Sequence, residues 1–233
     1  MKFTISPEIF EKFPDLHIGI IFARNIQNSG ENPEIINMIR AKESEIRSQH
    51  ALDNLGEIPK IAAWRSAYSS FGAKPKKYKC SVENLYRMIL EGIDLRHINT
   101  LVDIYNFISL KHLIPVGGDD LDKVEGNIML TIAKGDEPFR KLNSEESEFP
   151  HPGEIVYRDD KEVLCRRWNW RECEKSKMTE ETKNAMLVIE GIPPVSKSDV
   201  EEITKELGEM VQRFCSANIS RYILDLENPE FIF

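Results

Sequence analysis

VDIYNFISLKHLIPVGGDD, residues 102–120, decides the fold, because the texture of the chain changes across it. Its first half is apolar nearly all round a helical wheel, which predicts a central helix from Leu101 to about Leu113. Asn99 or Thr100 opens that helix. Pro115 and the Gly117-Gly118 pair end it, and the glycines read as a turn.

Upstream the apolar spacing is helical. A helix over Pro33 to Leu55 carries Ile35, Ile39 and Ile46 on one face and turns Glu43, Glu45 and Arg47 outward. A second, Pro59 to Phe71, sets Ile61, Trp64, Tyr68 and Phe71 in one row and stops at Gly72. Ser81 caps a third, with Val82, Leu85, Tyr86 and Ile89 on one side.

Downstream, strand-like runs at Asn127–Ala133, Glu154–Arg158, Val163–Trp168 and Ala185–Glu190 are separated by Gly, Asp and Pro. A last long helix opens with Ser198 and Glu201 as a capping box. It repeats Val200, Ile203, Leu207, Met210, Val211 and Phe214, and a strand from about Ser220 to Asp225 follows. Near the N-terminus Phe3 to Ile5 is a short strand, and His17 to Ile26 is apolar enough for a strand covered on both faces. Helices early and strands late give an α+β class, a mostly antiparallel sheet flanked by helices. Without an internal repeat or a linker-like stretch, residues 1–233 read as one domain.

The totals agree. With 41% hydrophobic and 30% charged residues, the chain is ordinary globular protein. No apolar run reaches the roughly 20 residues that span a bilayer, and the first residues lack a signal-peptide core. The expected address is the cytoplasm, with no membrane contact. The net charge of −8 counts against broad nucleic-acid binding, yet it leaves room for a local basic patch. Cys80, Cys165, Cys173 and Cys215 are scattered outside any metal-ligand spacing and read as plain thiols, so no metal or cofactor is expected. The five histidines stand apart, with no visible partner for His97, His112 or His151.

Three segments stand out. WRSAYSSFGAKPKKYK, Trp64 to Lys79, mixes Arg65, Lys74, Lys76, Lys77 and Lys79 with aromatics, a pairing that suits phosphates and bases or a solvated basic loop equally. In the opening stretch Asp103 and Asn106 share a helix face at i, i+3. They serve either as a tie to neighbouring backbone or as an amide aimed into a pocket. CRRWNWRE, Cys165 to Glu172, packs two Trp, three Arg and an Asn into eight residues. On a strand it would point Arg167, Asn169 and Arg171 one way and Arg166, Trp168 and Trp170 the other. That reads as a surface of stacked Arg–Trp pairs or as an anionic-ligand site.

Val102-Asp103-Ile104-Tyr105-Asn106-Phe107 followed by Pro115 resembles the editing domain of the phenylalanyl-tRNA synthetase β subunit, its third and fourth modules. SVENLYRMILEGIDLRHINTL before it and AMLVIEG, Ala185 to Gly191, extend the resemblance across about residues 60–191. The chain looks like a free-standing relative of that domain. The family hydrolyses the ester between a wrong amino acid and the 3′-terminal adenosine of tRNA. The resemblance therefore implies a deacylase of mischarged tRNA acting in trans. A non-catalytic RNA or aminoacyl-nucleotide binding module with the same pocket is the alternative. A small-molecule hydrolase on the same fold is a third.

By resemblance, Asn106 and Pro115 line the pocket and Glu190 holds a polar group of the wrong amino acid: a hydroxyl, an amine or a guanidino-like group. Where the family's turn carries a histidine two residues after the proline, this chain has Gly117. Asn106, Gly117 and Gly118 are the expected catalytic groups, the amide orienting ribose or water and the glycine N–H groups meeting an oxyanion. Pro115, Glu190, Asn169 and Asp103 are expected to bind substrate. Lys74, Lys76, Lys77, Arg166, Arg167 and Arg171 are expected to bind RNA.

Overall fold

The computed structural model describes residues 1–233. The helical half runs β1 (Lys2–Ile5), α1 (Pro7–Lys12), β2 (His17–Arg24), α2 (Pro33–Gln49), α3 (Pro59–Ser70), α4 (Ser81–Leu90) and α5 (Thr100–His112). The strand-rich half follows with β3 (Val116–Asp120), β4 (Ile128–Ile132), β5 (Phe139–Arg140), β6 (Ser147–Glu148), β7 (Ile155–Arg158), β8 (Val163–Arg166), β9 (Arg171–Glu172) and β10 (Asn184–Gly191). Then come α6 (Lys197–Cys215), β11 (Asn218–Leu224) and β12 (Glu230–Ile232).

One sheet has the order β12-β1-β4-β7-β8-β9, a second β11-β2-β10-β3, and β5-β6 form a small hairpin. Only β1 and β4 pair in parallel. The class is α+β, with antiparallel pairing dominant. The apolar strand β2 lies between β10 and β11, covered as its composition requires. Helix α6 packs on that sheet at Gly19, where a Cβ would collide with the Thr204 hydroxyl. One continuous buried cluster joins both sheets and the helices. No helix is long and apolar enough to cross a membrane.

Helix α5 is central. Every residue from Leu101 to Leu110 is buried except Asn106. Asn99 caps it, accepting from the Val102 N–H at 3.0 Å, and left-handed Leu113 ends it.

Several expectations are corrected. The Gly117-Gly118 pair is not a turn but the middle of β3, with Val188 opposite Gly117 and Leu187 opposite Gly118. Helix α2 stops at Gln49 because His50 is extended, and a 3₁₀ turn, Leu52–Glu57, continues. Glu43 does not face solvent. It is buried, accepting from Arg40 and from the Leu95 N–H at 2.7 Å. Ser81 is the first helical residue of α4, and its hydroxyl is buried without a partner rather than capping. The last helix starts two residues earlier than expected. Ser196 and Asp199 form its reciprocal capping box, which places Ser198 inside the first turn.

The Arg–Trp segment does not alternate as a strand. Strand β8 ends at Arg166, and Arg167 and Trp168 both take positive φ, 47° and 66°. That reversal turns Arg167 and Trp168 into the interior together. The C-terminal Phe231 and Phe233 stack against Phe22 and Tyr222 while β12 pairs with β1. His97 and His112 do have partners, Asp103 at 2.5 Å and Glu206 at 2.8 Å.

Candidate active site

A cavity of about 320 Å³ opens between α4, α5, the strands β3 and β10, and the β8–β9 turn. Asn106, Gly117, Gly118, Asn169, Arg171 and Glu190 all line it, drawn from three stretches of the chain: α5 with β3, the β8–β9 turn with β9, and β10.

Glu190 enters from β10 and is buried. The Tyr157 hydroxyl donates to its Oε1 at 2.6 Å, and the Asn169 carboxamide donates to its Oε2 at 2.6 Å. Tyr68 in turn donates to Asn169 Oδ1 at 2.8 Å, which fixes the amide's orientation. Burial pushes the Glu190 carboxyl up to about 7, against the pull of Tyr157, Asn169 and the Trp168 indole N–H. The Trp168 side chain lines the same cavity, and its indole nitrogen is buried without a partner at hydrogen-bonding distance, so its pull on Glu190 is the smallest of the three.

Two further carboxyls line the cavity at its other end, Asp119 on β3 and Glu172 on β9. Burial raises Asp119 to about 6, opposed by the Ser176 hydroxyl that donates to its Oδ1 at 2.5 Å. Burial and the neighbouring Asp119 raise Glu172 to about 7. Sequence reading passed over both. Each lies inside a stretch already conspicuous, next to the glycine pair and at the end of CRRWNWRE, but their meeting depends on how β3 and β9 approach.

Among the residues expected to act on substrate, Asn106 is half-buried and faces the cavity from α5. Asp103 does not reach it. Its Oδ2 holds His97 Nδ1, so it ties the entry of α5 to the chain before it. Pro115 is a backbone partner: its carbonyl accepts from the Glu190 N–H at 3.1 Å. That bond sets the alternation of the antiparallel ladder, which points the Gly117 N–H at Val188 and the Gly118 N–H off the open edge of the sheet. Of the two expected glycine donors, one is left free. Gly118 must remain glycine, since a Cβ there would strike the Met186 carbonyl oxygen and Leu187.

The basic residues divide. Lys74, Lys76 and Lys77 are exposed on the loop before α4. Lys77 lies 5.1 Å over the Tyr78 ring, Tyr78 meets Trp170 edge-on at 5.0 Å, and Arg171 lies 5.2 Å over Trp170. This row reaches the cavity mouth, which Trp170 and Arg171 help to line. Arg166 and Arg167 are instead buried and held by Glu154, Arg166 through both carboxylate oxygens at 2.8 and 3.0 Å and Arg167 at 2.7 Å. Two charges so placed cannot reach an outside phosphate without losing their partner. No group of three or more His, Cys, Asp or Glu is arranged to hold a metal ion.

The chain is similar to known proteins in this region. It is 28% identical over 139 residues to the phenylalanine–tRNA ligase beta subunit of Fusobacterium nucleatum, covering 60% of this chain and 16% of that protein. It is 41% identical over 71 residues to the phenylalanine–tRNA ligase beta subunit of Ruegeria pomeroyi, covering 30% of this chain and 9% of that protein. The chain thus spans a small part of the length of these relatives. A crystal structure of an N-terminal fragment of the phenylalanyl-tRNA synthetase beta subunit from Pyrococcus horikoshii superposes over 93% of this chain and 49% of that one, with a TM-score of 0.45 and 12% identity. The B3/4 domain pattern matches residues 63–223, which include every cavity residue named above, and the chain belongs to the B3/4 domain family.

Proposed function

We propose that the chain is an aminoacyl-tRNA deacylase acting in trans, which cleaves the ester between a wrong amino acid and the 3′-terminal adenosine of tRNA. The observation that supports it best is the convergence of Asn106, Gly118 and Glu190 on one cavity that opens beside a basic, aromatic row. An aminoacyl ester is already activated, so positioning a water and stabilising an oxyanion suffice. The Asn106 amide orients ribose or water, and the Gly118 N–H is the available backbone donor. Glu190 reads a hydroxyl, amine or guanidino-like group on the amino acid. A site built to bond such a group rejects the apolar analogue strongly. Lys74, Lys76, Lys77 and Arg171 meet the phosphates of the acceptor end, a local patch on a chain whose net charge is −8.

The test is to add the chain to a panel of correctly and wrongly charged tRNAs and follow loss of the ester. Turnover of one mischarged species is expected. Binding without turnover would make it a non-catalytic aminoacyl-tRNA binder, and indifference to every tRNA would end both readings.

A further inference from the structure

Residue 117 has no side chain, yet the space beside it is occupied. Glu172 Oε1 lies 3.4 Å from where a Cβ on Gly117 would stand. Strand β9 brings it there, with Glu172 opposite Cys165 of β8. The other buried or cavity-lining acids are engaged: Glu190 by Tyr157 and Asn169, Asp119 by Ser176, Glu83 by Arg65, Glu154 by two arginines. The Glu172 carboxyl is acted on only through space, by burial, Asp119 and Arg171. The other titratable groups around it are Tyr105 from α5, Cys165 from β8 and, in the outer part of the cleft, Lys177, Glu180 and Glu181. A half-buried carboxyl without a hydrogen-bonding partner costs stability and adds nothing to packing. Set in a cavity beside the one free glycine N–H, it is placed to meet a ligand or a water.

We propose that Glu172 is the general base of the ester hydrolysis, an assignment that rests on the deacylase reading. The carboxylate takes a proton from water as the water oxygen bonds to the ester carbonyl carbon. The tetrahedral intermediate holds its negative charge on the former carbonyl oxygen, next to Gly118. On collapse the bond from that carbon to the ribose oxygen breaks, and Glu172 returns the proton to the departing ribose oxygen. One water is consumed, and the free amino acid and a tRNA with its terminal hydroxyl are released. A carboxyl near neutrality suits both halves of this exchange.

The experiment is single-turnover hydrolysis of the preferred mischarged tRNA from about pH 5.5 to about pH 8.5, corrected for the uncatalysed rate. Wild type should rise with pH and level off above about 7. Glu172→Gln should lose roughly 10²–10⁴-fold in rate with unchanged half-saturation and lose the rising limb, while Glu172→Asp keeps the limb at reduced rate. Glu172→Ala should regain activity with added formate, which a merely structural role would not permit, and this arm decides the matter if the Gln variant fails to fold. Wild-type rates in Glu172→Gln, or formate without effect on a folded Glu172→Ala, would overturn the base while leaving the deacylase standing. A wild type inert on every charged tRNA would remove the deacylase and the base together.

Discussion

The Asn169 carboxamide donates to Glu190 Oε2 at 2.6 Å, and Asn169 is itself held by the Tyr68 hydroxyl at 2.8 Å. The relationship links the β8–β9 turn, α3 and β10, and it sets the orientation of the acid that faces the cavity. Asn169→Ala should leave both the Tyr68 hydroxyl and one Glu190 oxygen without a partner. The expected cost is about 1–3 kcal/mol in urea unfolding. Asn169→Asp should cost more at pH 8 than at pH 5, because it sets a second carboxylate against Glu190. Equal stability of all three chains would mean that this pair contributes nothing.

The acids of the cavity give the fold a definite pH dependence. Glu172 and Glu190 titrate near 7 in the folded chain instead of near 4.5. The folded state therefore holds protons that the unfolded state has released, and stability falls as pH rises from about 4.5 to about 7, then stays level. Glu172→Gln should shrink that fall and raise Tm at pH 8 by about 2–4 °C for each kcal/mol regained. Melting curves across pH measure it. A lowered Tm at pH 8 would show that Glu172 is a structural ion.

The two neighbouring glycines should behave differently. At Gly118 a Cβ meets backbone, so Gly118→Ala should destabilise the chain by about 1–3 kcal/mol. At Gly117 it meets only the Glu172 carboxylate at ordinary contact distance, so Gly117→Ala should fold normally yet crowd that carboxylate and slow hydrolysis. Thermal melts alongside rate measurements separate the two. Equal destabilisation by both would contradict the strand geometry.

Basic residues of similar expectation should likewise part company. Lys74, Lys76 and Lys77 changed together to Ala should weaken tRNA binding, reduce its salt dependence and leave stability unchanged. Arg166→Ala should instead cost about 1–3 kcal/mol of folding, since it removes the two-pronged partner of buried Glu154 and leaves only Arg167 on that carboxylate. Filter binding at two salt concentrations and denaturant melts distinguish them, and a stable Arg166→Ala protein with weakened binding would reverse the assignment.

Much of this architecture is legible in the residues themselves. The apolar periodicity of Val200 through Val211 and the all-round apolarity of 101–110 announce α6 and α5, because burial of a stripe or of a whole helix leaves that signature. The glycine pair misleads, since two glycines after a proline carry turn chemistry and no strand propensity. Pairing with β10 overrides it. Arg167 and Trp168 mislead for the opposite reason: bulky residues rarely take positive φ, so a reversal there leaves no local mark. Resemblance points to Asn106 and Glu190. Glu172 has no such pointer, because its placement beside Gly117 depends on the approach of β9 to β3, which no local stretch of sequence announces.

The most direct measurement is loss of the aminoacyl ester from one mischarged tRNA, under single-turnover conditions, with wild type and Asn106→Ala compared at equal concentration. Hydrolysis centred on this cavity predicts rapid loss with wild type and a fall of about 10²–10³-fold with the variant, the scale on which removing one oriented polar group acts. Identical rates for the two proteins would place any hydrolysis elsewhere and contradict the site.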